Sequence, residues 1–340
     1  MEMRLMGRSG TVVSSYALGT MTFGNESDQH VSHNLLNTYV EAGGNFIDTA
    51  DVYTGGTSEE IVGRWLQARP EAARNMVLAT KGRFPMGDGP NDLGTSRRHL
   101  RQALDASLKR LGVDHIDLYQ LHAWDPLTPL EETLGFLQDA VTAGKISYYG
   151  LSNFTGWQLT KAVFTARAHG WNEPVTLQPQ YNLLEREIES EVVPAAIDAG
   201  LGLLPWSPLA GGWLTGKYRR ESVPAGKTRV GDDPTRRFQG WDLRSNNERT
   251  WHILDALKDI AAAHHASPAQ VALAWLAAQP GVTSVILGAR SVEQLTDNLG
   301  AASLRLSTQE EQRLNGLSRP AVGNYPYGTD GVNQRSRQLP

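Results

Sequence analysis

The sequence predicts an α/β protein of the (β/α)8 barrel type, with a short hairpin ahead of the barrel and a long loop after its seventh strand. Three observations carry that expectation: eight short apolar runs recur along 340 residues, amphipathic helical periods lie between them, and no GxGxxG turn follows an early strand. The runs are SYALGT from Ser15, NFIDTA from Asn45, MVLATK from Met76, IDLYQLH from Ile116, ISYYGLSN from Ile146, VTLQPQY from Val175, GLLPWSP from Gly202 and VTSVILG from Val282. They are continuous rather than alternating, as strands buried on both faces of a parallel sheet must be. Each parallel neighbour is reached by a crossover, which a helix supplies. The rival is an open doubly wound sheet, and it calls for the glycine-rich turn that this chain lacks.

The remaining elements follow in order. MRLMGRSGTVV, turning at Arg8 to Gly10, reads as a hairpin placed to plug the bottom of the barrel. After the third strand, Leu100, Ala103, Leu104, Leu108 and Leu111 share one helix face, with Ser96 as N-cap and Gly112 as stop. Leu130, Leu134, Leu137 and Val141 repeat the pattern after the fourth strand, and Gly144 ends it. Residues 216–247, rich in Arg, Gly and Pro, show no period and are expected to form a lid-like loop. Residues 319–340 read as an aperiodic tail over the mouth, and the whole of 1–340 as one barrel domain.

Composition narrows the function. Hydrophobic content of 40% and charged content of 20% belong to an ordinary globular chain, and a net charge of −4 without basic–aromatic clusters gives no nucleic-acid surface. With no cysteine, disulfides, thiolate nucleophiles and Cys-ligated zinc are excluded. No apolar run approaches the roughly 20 residues that cross a bilayer, and the polar start MEMRLMGRSG lacks a signal-peptide core, so a cytoplasmic protein is expected. Among the nine histidines only His264 and His265 adjoin, with no carboxylate at ligand spacing, so no metal is expected.

Chemistry is sought at the carboxyl ends of barrel strands, because those ends line the mouth. The second strand is expected to end at Asp48 with Tyr53 five residues on, the third at Lys81, the fourth at His122, the fifth at Ser152 and Asn153, and the sixth at Gln178. Each alone is an ordinary structural residue: Lys81 and Asp48 an ion pair, Tyr53 a packing residue, His122 a satisfied histidine. Together they compose a carbonyl-reducing set. A nearby ammonium lowers the proton affinity of a phenol, a carboxylate keeps that ammonium charged, and an imidazole polarises the carbonyl.

The motifs that carry these residues resemble the aldo-keto reductase superfamily, in particular its bacterial NADPH-dependent branch and the related potassium-channel β-subunit-like members. They are GNFIDTADVYTGGTSEEIVG from Gly44, KRLGVDHIDLYQLHAWDP from Lys109, GKISYYGLSNF from Gly144, PWSPLAGGWLTGKY from Pro205 and ILGARSVEQLTDN from Ile286, in the family's order. The resemblance implies a cytoplasmic NADPH-dependent reductase with Asp48, Tyr53, Lys81 and His122 catalytic and a small carbonyl compound as substrate. It implies a nicotinamide cofactor whose carboxamide is held by Ser152, Asn153 and Gln178, with Thr20, Met21 and Asp48 nearby and Trp206 against the ring. Ser207, Pro208, Leu209, Gly211 and Lys217 would then meet the pyrophosphate. Gly288, Arg290, Gln294 and Asn298 would meet the adenosine half, with the Arg290 guanidinium favouring a 2′-phosphate. Phe23, Phe84 and Trp124, with Tyr53, are expected to line the substrate pocket. Two other readings stay open: an NADPH-binding sensor or regulatory subunit with slow turnover, and a metal-assisted barrel hydrolase.

Overall fold

The structure, a computed structural model, describes residues 1–220 and 240–321 together with positions 222, 224, 323, 326 and 327. Two strands, β1 (Met3–Leu5) and β2 (Val12–Ser14), pair antiparallel as a hairpin. Eight more follow: β3 (Tyr16–Gly19), β4 (Phe46–Asp48), β5 (Val77–Gly82), β6 (Ile116–Leu121), β7 (Ile146–Ser152), β8 (Thr176–Gln178), β9 (Gly202–Leu203) and β10 (Val285–Leu287). Their order is β10-β3-β4-β5-β6-β7-β8-β9, with every pairing parallel. Backbone bonds from Thr283 N to Leu203 O (2.9 Å) and from Ile286 N to Pro205 O (3.0 Å) join the two ends of that order. The predicted (β/α)8 barrel is therefore present, with its strands within a few residues of the eight runs.

The helices form where the sequence punctuates them. Helix Arg97–Leu111 begins at Ser96, whose side chain accepts from His99 N, and ends at Gly112 in the left-handed conformation. It buries Leu100, Ala103, Leu104 and Leu111. Helix Leu130–Thr142 buries Leu130, Leu134 and Leu137, and Gly144 follows it at φ 72°. Apolar side chains gather in two layers. An outer layer between strands and helices includes Leu36, Leu104 and Leu137, and an inner one fills the barrel with Phe46, Ala79, Leu118 and Leu204.

The hairpin closes the lower end of that inner layer. Its Met6 is fully buried within the barrel's inner cluster. Gly7, at φ 58°, lies so close to β8 that an added Cβ would stand 2.0 Å from Val175 O. Only glycine permits that approach. Of the long segment 216–247, residues 221, 223 and 225–239 lie outside the described residues, as do most positions of the tail. The segment also differs from the aperiodic reading in its last part: Trp241–Ser245 is helical, and Trp241 stacks on Trp213 at 5.3 Å. Its apolar face is covered by an aromatic neighbour far away in sequence, which no local period reveals. Among the described residues no helix is long and apolar enough to cross a membrane.

Candidate functional site

Parallel register decides which side chains share a level at the mouth. Asp48 pairs with Ala79, Lys81 with Gln120, and Ser152 with Gln178, so β4 through β8 bring their polar ends into one layer. Lys81 is wholly buried there and its ammonium is fully committed. It donates to Asp48 Oδ2 at 2.6 Å, to Thr49 O at 2.8 Å and to the Tyr53 hydroxyl at 3.2 Å. Asp48 is held from its other side, because Oδ1 accepts from Gln120 Nε2 (3.1 Å) and Gln178 Nε2 (2.9 Å). A buried ion pair is tolerated only when the remaining lone pairs and protons are matched, and these two groups satisfy that condition.

Electrostatics follow from the burial. For Lys81, removal from water opposes the charge, but the Asp48 carboxylate prevails and the ammonium holds its proton above the ordinary lysine range. Tyr53 departs from the sequence expectation. Burial outweighs the neighbouring ammonium, with Asp48 adding to the rise, so its phenol is pushed above the usual value instead of below it. The group is a neutral phenol whose hydroxyl accepts a hydrogen bond from a cation. His122 is held well below the ordinary imidazole range by burial first, then by Lys81 and Arg83. It is neutral, its Nδ1 has no partner among the described residues, and its ring stands edge-on to Tyr53 at 5.9 Å.

Next to this centre the fifth and sixth strand ends lock together. Ser152 Oγ donates to Gln178 O at 2.9 Å, and Asn153 Nδ2 donates to His122 O at 3.0 Å. The Trp206 indole N–H donates to Asn153 Oδ1 at 3.0 Å. Asn153 (φ 56°), Ser207 (φ 55°) and Ala210 (φ 48°) are non-glycine residues in the left-handed region, joined by Gly211 and Gly212. Such strain gathers where the surrounding fold over-determines a loop.

A cavity of about 830 Å³ opens from here. Tyr53, His122, Asp48, Ser152, Asn153 and Gln178 line its deep end, with Thr20 and Met21 beside them. Trp206, Ser207, Pro208, Leu209, Gly211 and Lys217 line its middle, and Gly288, Arg290, Gln294 and Asn298 its far end. Every residue the sequence assigns to the cofactor thus faces one cavity. Lys81 lies behind its wall.

Of the four residues expected to line the substrate pocket, Tyr53 lines this cavity, and Phe84, Trp124 and Phe23 are not among its lining residues. Phe84 packs on the His122 ring at 4.4 Å, and Trp124 meets Phe154 and Trp157 edge-on, both at 5.4 Å. Phe23 is a correction: it is fully buried in the outer core with Leu36 and Ile61 and does not line the cavity. A tight turn, Phe23 N to Thr20 O at 3.0 Å, carries it away, and Met21 faces the cavity instead. Gln120 went unnoticed because it lies inside a strand. It stands two positions before His122, which follows β6 directly, and the two-residue period of the strand turns it toward the site. Glu26 also went unnoticed; its carboxylate sits 2.9 Å from the Arg290 guanidinium. Among the described residues no group of three or more His, Asp or Glu is placed to hold a metal ion.

Known proteins match this chain over nearly its whole length. A family model described as the aldo/keto reductase family covers residues 16–319. The uncharacterized oxidoreductase YrpG of Bacillus subtilis is 39% identical, across 96% of this chain and 98% of the relative. A probable voltage-gated potassium channel subunit beta of Oryza sativa is 38% identical across 88% and 91%, and the versiconal hemiacetal acetate reductase of Aspergillus parasiticus is 32% identical across 92% and 96%.

Proposed function

This chain belongs to the aldo/keto reductase family, and we propose that within it the protein is an NADPH-dependent reductase of aldehydes or ketones with Tyr53 as the proton donor. Oxidoreductase chemistry at a carbonyl comes with that membership. The observation that carries the finer reading is the 3.2 Å hydrogen bond from the buried Lys81 ammonium to the Tyr53 hydroxyl at the deep end of the cavity.

The cavity suits the proposed cofactor end to end. An indole face at Trp206 and fixed amide and hydroxyl groups at Asn153 and Ser152 suit a nicotinamide. Lys217 beside the Ser207–Gly212 turn suits a pyrophosphate, and Arg290 suits a 2′-phosphate. When bound there, the reduced nicotinamide supplies a hydride to the carbonyl carbon. His122, neutral and with one ring N–H to donate, orients and polarises the carbonyl oxygen. Tyr53 gives its proton to that oxygen as the alcohol forms. The phenolate left behind faces the Lys81 ammonium, which stabilises it until a proton from water restores the phenol. Asp48, fixed by Gln120 and Gln178, keeps Lys81 charged throughout.

The test is Tyr53→Phe, which leaves NADPH affinity near normal and lowers turnover of an aldehyde about 10²-fold or more. Unchanged turnover removes Tyr53 from the role. The rice relative supports a second reading, a regulatory subunit that binds NADPH and turns over slowly. An aldehyde panel at saturating NADPH separates the two, since a pure regulator shows tight binding and negligible oxidation.

A further inference from the structure

We infer that Glu26 is a specificity-determining residue, a counter-charge to Arg290 that lets the far end of the cavity accept both the phosphorylated and the unphosphorylated dinucleotide. The inference rests on the reading that Arg290 meets the 2′-phosphate. It deepens that reading by giving the opposite charge beside it a task.

The geometry is local and specific. Glu26 lies on the loop after β3 and places Oε1 2.9 Å from an Arg290 terminal nitrogen, with both side chains about a quarter exposed. Two further bonds join the same loop to the residues around Arg290: Thr22 Oγ1 donates to Ala289 O at 3.0 Å, and Ser27 Oγ to Arg290 O at 3.4 Å. Gln294 Oε1 accepts from Arg290 N at 3.0 Å. The guanidinium is therefore held against a carboxylate on a tethered loop, at the rim of the cavity that Arg290 and Gln294 line.

Charge then decides the selectivity. A 2′-phosphate at Arg290 gains a bidentate cation but must lie close to the Glu26 carboxylate, a like-charge cost that solvent only partly screens. A ribose 2′-hydroxyl carries no such penalty, and a carboxylate is a good acceptor for it. Glu26 thus lowers the advantage of the phosphorylated form without abolishing it. An arginine alone would select NADP; the pair moderates that choice.

The experiment is a direct titration of NADP+ and NAD+ binding, followed by protein fluorescence, on the wild type, Glu26→Gln, Arg290→Ala and the double variant. Glu26→Gln is expected to tighten NADP+ binding about threefold to tenfold and to leave NAD+ unchanged or weaker, so the ratio of the two dissociation constants shifts toward NADP+. In the Arg290→Ala background the same change should lose most of that shift. A ratio unmoved by Glu26→Gln, or equal weakening of both dinucleotides, overturns the inference and leaves Glu26 a loop tether. An Arg290→Ala variant that keeps the wild-type ratio overturns the underlying reading of Arg290, and the inference with it.

Discussion

The two ends of the cavity hold their charges in different ways. At the deep end Lys81 and Asp48 are buried, fixed at 2.6 Å, and surrounded by donors and acceptors that come from strands and from the turn that follows β4. At the far end Arg290 and Glu26 are partly exposed, on loops, and face water as well as each other. The first arrangement is pre-organised, because a strand end cannot move without breaking the sheet. The second is tethered by hydrogen bonds but open to water. The difference teaches that one cavity can combine a buried, fully paired charge centre with a solvent-facing ion pair, each pair valued according to its solvent access.

The contrast can be broken most forcefully at Lys81. Lys81→Met strands a buried carboxylate, so it should cost about 3–5 kcal/mol in chemical denaturation as well as nearly all turnover. A loss below 1 kcal/mol would mean that water reaches Asp48, and the buried end would lose its distinction. A smaller effect is expected at Asp51, fully buried beside the same loop, with both carboxylate oxygens unpartnered among the described residues. Burial first, and Glu59 second, push its carboxyl up to about 7 from 3.8. In that window the folded chain holds a proton that the unfolded chain has lost, so stability falls as pH rises toward 7 and the loss is complete above it. Asp51→Asn removes that loss: its stability gain over the wild type should grow by about 1–3 kcal/mol between pH 4 and pH 8 in denaturant melts. A gap that is constant with pH would place the carboxyl in a solvated setting.

The smallest effect sharpens the solvent-facing end. Raising salt from about 0.05 to 0.5 M should weaken NADPH binding by only a few-fold, through Arg290 and Lys217, and leave turnover at saturation near its low-salt value. Salt-sensitive turnover at saturation would show that the deep charges are screened too.

Much of this was legible in the residues. A strand that ends in a polar residue places that residue at the mouth of a parallel barrel: Asp48, Ser152 and Gln178 end their strands and line the cavity, His122 lines it one residue past its strand, and Lys81, one residue short of its strand's end, stands behind the wall against Asp48. Phe23 does not line it, because it lies beyond the strand in a turn, where period-two alternation no longer fixes the side-chain direction. Gln120 shares its parity with His122 but lies inside β6, where strand termini carry no signal for it. The sign of the Tyr53 shift was not readable. Burial and the ammonium act against each other, and only the depth of the phenol shows which prevails.

By itself the sequence determined the barrel, its hairpin, the helix caps and the four polar residues of the deep end, because those depend on local period, glycine and proline placement and strand termini. Tertiary structure alone decided the contacts made across long sequence distances: Glu26 against Arg290, Gln178 on Asp48, Met6 under the barrel and Trp241 on Trp213. Their partners lie far away along the chain, and only the closed barrel brings them within reach.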